Sequence, residues 1–248
     1  MSLLNIDYDS LLQMIGLIDL TSLSAEDTPD SIRALCAKAI TPQGAVACVC
    51  VYPQFVPVVK ECLTGSAVKI AAVSNFPAGG DDIEATTTDI AQSIALGANE
   101  IDVVMPYQRF LAGDDDFILD FIQRCAAACK NKATLKVILE TGALITSELI
   151  RRASILAIKG GADFIKTSTG KISIGATLNA AETMLLAIRE SNRNVGFKAS
   201  GGIRSINDAI PYLQLASEIM GPAWLDAGHF RLGASSLLDN IISELTVS

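Results

Sequence analysis

Short runs of apolar, largely β-branched residues recur along the chain, at 17–20, 46–51, 68–73, 101–105, 135–139, 163–168, 195–199 and 230–232. Between them lie stretches with helical spacing, as at Ile83, Ile90 and Ile94. Runs of this length fit strands, and strands alternating with helices give βαβ units and a parallel sheet. The later strands keep a regular interval: 34 residues from Asp102 to Lys136, 30 to Lys166, 32 to Lys198 and 33 to Arg231. Eight such units over residues 1–248 predict a single-domain α/β fold, the closed (β/α)8 TIM barrel. A doubly wound open sheet would have fewer strands and a Gly-x-Gly-x-x-Gly turn after the first one, which this chain lacks.

An internal echo supports the repeating unit. Gly97-Ala98-Asn99-Glu100-Ile101-Asp102 aligns with Gly161-Ala162-Asp163-Phe164-Ile165-Lys166, 64 residues later. Each glycine is expected to end a helix in a left-handed conformation. The alignment predicts Asp102 and Lys166 at equivalent heights in strands four and six. Barrel layers are filled from alternate strands, so these two would share a layer.

Composition narrows the class. Half of the residues are hydrophobic, 19% are charged, and the mean hydropathy is +0.40, which excludes a disordered chain. Only 5% are aromatic, so the apolar mass is Ala, Ile, Leu and Val, as a sheet buried on both faces requires. The net charge of −8 argues against a nucleic-acid partner. No apolar run reaches the roughly 18–20 residues of a membrane span. The start, Met1 to Asp7, has no basic and long apolar regions and does not read as a signal peptide. Six cysteines without a Cys-x-x-Cys pair, and one histidine, His229, offer little to a zinc site. The cysteines read as reduced and mostly core residues of a cytoplasmic protein.

The informative residues are charges inside strands. Asp102, Lys136, Lys166 and Lys198 each sit in or directly after an apolar run. The outer face of a barrel strand packs on helices and cannot hold an unpaired charge. These side chains are therefore expected to point into the lumen, toward its carboxyl end, where barrel enzymes keep their chemistry. A buried ion-pair network would balance its signs, whereas this set holds three lysines to one aspartate, with Glu140 and Asp19 as further partners. Burial and like-charge repulsion would lower the lysine pKa values. Bringing a lysine from about 10.4 to about 7 costs on the order of 5 kcal/mol. The neutral amine so produced is a nucleophile toward carbonyls, which favours Schiff-base chemistry.

Three loops follow the last three strands: Thr167-Ser168-Thr169-Gly170-Lys171, Ala199-Ser200-Gly201-Gly202-Ile203-Arg204 and Gly233-Ala234-Ser235-Ser236. Glycines allow close backbone approach, and a helix N-terminus offers free N–H groups to an anion. Loops after strands seven and eight are a common phosphate site in barrels.

Asp163 to Gly170 resembles the signature of the deoxyribose-phosphate aldolases. Glu100 to Val104, Leu135 to Thr141, Gly196 to Arg204 and Arg231 to Ser236 fit the same family in order, as do Asp19-Leu20-Thr21 and Asn75-Phe76-Pro77. The resemblance implies a class I aldolase on a (β/α)8 barrel, with no cofactor and no metal. It would reversibly cleave 2-deoxy-D-ribose 5-phosphate to D-glyceraldehyde 3-phosphate and acetaldehyde, in deoxynucleoside and deoxyribose phosphate catabolism. By motif, Lys166 is the Schiff-base lysine, Lys198 the second lysine that depresses its pKa, and Asp102 the acid/base partner acting through water. Gly170, Lys171, Gly201, Gly202, Gly233, Ser235 and Ser236 fall in phosphate-binding positions. Its partner would be a small phosphorylated sugar, and homodimers are common in the family. Ala199-Ser200 departs from the Pro-Ala of some members. The sequence ends Thr246-Val247-Ser248, where longer members carry a tail with a terminal tyrosine, so any role of that tail is expected to be absent or filled otherwise.

Two rivals belong to other classes. A zinc aldolase or isomerase on the same barrel would need several histidines. A binding protein without catalysis would use the lysines only to pair anions.

Overall fold

The computed structural model describes residues 7–247, so the readings of Met1–Ile6 and Ser248 lie outside the described residues. Eight parallel strands close into a barrel: β1 (Ile18–Thr21), β2 (Cys48–Val51), β3 (Lys69–Ser74), β4 (Glu100–Val104), β5 (Thr134–Ile138), β6 (Phe164–Lys166), β7 (Gly196–Ser200) and β8 (Phe230–Ala234). Neighbours in sequence are neighbours in space, and β1 closes the ring between β2 and β8. This is the predicted (β/α)8 architecture.

The outward positions explain the helical ring. Ile18, Leu20, Val49, Val51, Ile101, Val103, Leu135, Val137, Ile165, Phe197, Phe230 and Leu232 all belong to one apolar core with the surrounding helices. Each such residue, fully buried, contributes about 1.5–3 kcal/mol. The helices are α1 (Pro29–Lys38), α2 (Val56–Cys62), α3 (Ile83–Leu96), α4 (Asp115–Cys129), α5 (Ser147–Gly160), α6 (Leu178–Ser191), α7 (Ile206–Met220) and α8 (Leu237–Val247). Their starts are chemically marked. Asp82, Asp114, Thr146 and Thr177 each accept a backbone N–H three residues on, and Ser205 with Asp208 forms a capping box. Gly97 and Gly161 end α3 and α5 at φ 123° and 100°.

Three features depart from the sequence reading. A helix at Tyr8–Ile15 precedes β1, capped by Asp7 and burying Leu11, Met14 and Ile15. A two-stranded antiparallel ribbon, Ile40–Thr41 with Gly44–Ala45, interrupts the first connection. Its two-residue strands are too short to leave a periodic signal. Finally, β6 is shorter than its apolar run suggests, because the Thr167 hydroxyl bonds the Ser200 N–H and C=O at 3.0 Å each.

Among the described residues no helix is long and apolar enough to cross a membrane. All six cysteines are free thiols.

Candidate active site

Strand alternation turns the in-strand charges inward, and the structure brings them together. Asp102 and Lys136 are register partners on β4 and β5, and Lys166 and Lys198 are partners on β6 and β7. Lys166 Nζ lies 2.8 Å from Asp102 Oδ2, and Lys198 Nζ lies 2.7 Å from the same oxygen. Lys136 Nζ lies 2.9 Å from Asp102 Oδ1. Asp19 on β1 meets Lys198 at 2.5 Å and Lys136 at 3.5 Å.

Two residues that the sequence reading did not count complete the network. Glu100 receives Lys136 at 2.5 Å, and Arg231 bridges Glu100 at 2.9 Å and Asp19 at 2.6 Å. Their signal was available. Glu100 is two residues before Asp102, hence on the same face of β4. Arg231 marks the strand period but was not counted as a charge.

The expected imbalance of three lysines to one aspartate is therefore corrected to four cations, Lys136, Lys166, Lys198 and Arg231, against three carboxylates, Asp19, Glu100 and Asp102. Glu140 makes no direct ion-pair contact with this set; its carboxylate accepts from Thr169 and is lowered by Lys166 at longer range.

Beside the charges lies an apolar wall of Leu23, Cys48, Cys50, Ala71 and Val73, with Tyr52 and Phe76 packed on it. Cys50 Sγ touches Asp102 Oδ2 at 4.0 Å. His229 is bonded to Asp226 and Asn194, both at 2.8 Å.

The loops after β1, β6, β7 and β8 enclose a cavity of about 410 Å³. Gly170, Lys171, Gly201, Gly202, Gly233 and Ser235 line it. Ser236 lies one residue beyond and donates its hydroxyl to the Arg204 carbonyl at 3.2 Å. The Lys171 ammonium bonds the Leu23 carbonyl at 2.6 Å, tying two of the loops together. Gly201 and Gly202 take φ of 91° and 88°, which L side chains adopt only with strain. A Cβ at Gly233 would sit 2.7 Å from Ser200 Oγ and 3.0 Å from Lys198 Cε, so this glycine makes room for the lysine. Four further residues not among the sequence-predicted binding positions line the cavity: Thr21 at the end of β1, Ser22 and Ser24 in the loop after it, and Arg204.

A profile of the DeoC/LacD family aldolases matches residues 13–239. The chain belongs to this aldolase family. Its backbone superposes on a candidate deoxyribose-phosphate aldolase from Coccidioides immitis with a TM-score of 0.85 and 31% identity, covering 95% of this chain and 87% of that one. A second candidate of that name, from Toxoplasma gondii, gives 0.86 at 26% identity over 94% and 95% of the two chains. The tetrameric deoxyribose phosphate aldolase of Aeropyrum pernix gives 0.80 at 24%, over 97% and 94%.

Electrostatics separates the three lysines of the aldolase lumen. Burial pushes every one of them down. For Lys136 the carboxylates of Asp102, Glu100 and Asp19 outweigh burial and hold it well above the ordinary lysine value. For Lys198, Asp102 and Asp19 do the same. Lys166 alone ends below its ordinary value: burial is the largest cause, Asp102 opposes it, and Lys198 adds repulsion. The expectation that crowding lowers all the lysines thus holds for Lys166 and is corrected for Lys136 and Lys198, which have three and two carboxylate partners. Burial would raise the Asp102 carboxyl, but Lys136, Lys166 and Lys198 hold it well below the usual range.

Two outcomes follow from this geometry. Arg231→Met removes a cation from buried Asp19 and Glu100 and should destabilise the aldolase by about 3–5 kcal/mol, read from the urea midpoint. An unchanged midpoint would mean that the amino half of the network adds nothing to stability. Lys198→Leu removes repulsion from Lys166 and frees Asp102 to pair with it more strongly, so the Lys166 pKa should rise. Aldolase activity near neutral pH should fall, with the acid limb of the pH–rate profile displaced upward. A profile lowered everywhere without displacement would mean that Lys198 does not tune Lys166.

Proposed function

We propose that the protein is a class I aldolase that reversibly cleaves 2-deoxy-D-ribose 5-phosphate to D-glyceraldehyde 3-phosphate and acetaldehyde. The observation that carries this reading is the placement of Lys166, a buried amine held by one carboxylate oxygen and directly followed in the chain by the loop that lines the cavity; burial and Lys198 favour its neutral form. Neutral Lys166 attacks the C1 aldehyde of the open-chain sugar and loses water to form an iminium. Deprotonation of the C3 hydroxyl, by a water held on Asp102, drives the retro-aldol step. Products of two and three carbons require that the C2–C3 bond break, and its electron pair enters the iminium to give an enamine. Protonation at C2 and hydrolysis release acetaldehyde and return the amine. Lys198, kept charged by Asp19 and Asp102, serves as the cation that repels a proton from Lys166 and as a proton donor and acceptor.

The cavity supports a phosphate subsite. It offers the backbone of Gly170, Gly201, Gly202 and Gly233 and the hydroxyl of Ser235, near the start of α8. Such donors attract an anion locally on a chain whose net charge is −8. Binding the remote phosphate holds C1 against Lys166. The wall of Leu23, Cys50 and Val73 offers apolar surface to the sugar's C2 methylene. Six free thiols support a reducing, cytoplasmic setting.

Two substitutions test the reading. Lys166→Arg keeps a charge but cannot form an imine, and it should lose nearly all turnover with the fold intact by circular dichroism. Substantial residual cleavage would move the nucleophile elsewhere. Ser235→Asp places a carboxylate in the cavity and should raise KM for the phosphorylated sugar at least tenfold more than for deoxyribose. Equal penalties on the two sugars would remove the phosphate from this cavity.

A further inference from the structure

We infer that Glu140 is a positioning residue that latches the loop after β6 and so sets the anion-binding backbone at Gly170 and Lys171. The inference rests on the reading that this loop holds the substrate's phosphate.

Glu140 follows β5 and is fully buried, beside the lumen network but outside it. Its backbone is left-handed, at φ 56° and ψ 57°. That conformation costs a non-glycine residue on the order of 1 kcal/mol. The strain comes with a defined set of bonds. Glu140 Oε2 accepts the Thr169 hydroxyl at 2.5 Å, and the Thr169 N–H lies 3.3 and 3.4 Å from the two carboxylate oxygens. Thr169 Oγ1 in turn accepts the Lys171 N–H at 3.0 Å. One residue after the strained position, the Thr141 N–H donates to the Thr167 carbonyl at 2.9 Å. The loop 167–171 is thus held at three successive alternate residues, two of them through Glu140.

The chemistry requires a carboxylate. The Thr169 hydroxyl donates to one oxygen and the Thr169 N–H lies against both, so in a glutamine one of the two positions would be an NH2 that only donates. An apolar side chain would leave two buried donors unpaired, at about 1–3 kcal/mol each. Burial raises the Glu140 carboxyl, and the bonds from Thr169 and the charge of Lys166 pull it partly back. Gly170, at φ 75°, is the flexible point between the two residues that the latch fixes, and it faces Gly201 across the cavity. Without Glu140, Thr169 loses the bonds that fix its hydroxyl and N–H, the hydroxyl that accepts the Lys171 N–H is no longer held in place, and the cavity's donors lose their common direction.

The test compares wild type with Glu140→Gln, Thr169→Val and the double variant, in three measurements. Hydrogen exchange of the peptide spanning 167–171 reads the loop in the free protein. Calorimetric titration with inorganic phosphate reads the cavity. The ratio of kcat/KM for deoxyribose 5-phosphate to that for deoxyribose reads the consequence for catalysis.

Each single variant should speed exchange in this loop, weaken phosphate about tenfold and lower the ratio at least tenfold. The double variant should be no worse than the worse single, because both break one chain of bonds. Should Glu140→Gln fail to fold, Thr169→Val, which keeps shape and removes only the hydroxyl, carries the test. Unchanged phosphate affinity, equal penalties on both sugars or additive single effects would overturn the latch and leave Glu140 a structural residue. The two readings fail differently. A wild type that binds phosphate but does not cleave deoxyribose 5-phosphate, with phosphate binding lost in the variants, would refute the proposed function and keep the latch. A wild type that binds no phosphate refutes the latch.

Discussion

One oxygen of Asp102 serves two ammonium groups, Lys166 at 2.8 Å and Lys198 at 2.7 Å, while the other oxygen serves Lys136 at 2.9 Å. These groups are buried from solvent, so the number of carboxylates around each amine decides which lysine goes short. Lys136 has three carboxylate partners, Lys198 has two and Lys166 has one. With four cations to three carboxylates, one amine is under-compensated, and the register of β6 makes it Lys166. Truncating one member of such a set leaves a buried charge uncompensated, which is the costly event in a protein interior. The rest of the structure serves this arrangement. The outer strand faces are apolar and pack on helices, so every charge in mid-strand has only the lumen to occupy.

The same constraint separates the two anion-handling tasks of the molecule. The lumen neutralises fixed carboxylates with fixed cations and has no capacity left for a substrate anion. The cavity at the loops, which we propose takes the substrate's phosphate, is lined by backbone donors and hydroxyls instead, and its lysine, Lys171, is spent on the Leu23 carbonyl. An acidic protein can in this way present a local site for phosphate without a basic surface.

Much of this was legible in the chain. The eight apolar runs and the interval of about thirty residues located all the barrel strands to within two residues at each end. Asp102, Lys136, Lys166 and Lys198 stood out because a charge inside an apolar run is rare. What was hidden depended on partners far apart in sequence. Arg231 and Asp19 are 212 residues apart, and only barrel closure between β1 and β8 joins them. The lysine pKa order was misjudged for the same reason: it follows from who shares a carboxylate, which no local pattern records. Glu140 is a partner of Lys166 only at longer range: Lys166 lowers its carboxyl, while its hydrogen bonds go to Thr169. The hairpin at 40–45 left no signal because two-residue strands have no period.

The central claim is that Lys166, and not Lys136 or Lys198, is the amine free to react. Incubation with acetaldehyde under borohydride, followed by digestion and mass mapping of the modified lysine, tests it directly. The account predicts one reduced ethyl adduct on the peptide containing Lys166, with Lys136 and Lys198 unmodified. An adduct on Lys198 or Lys136, or none on any lumen lysine, would contradict it.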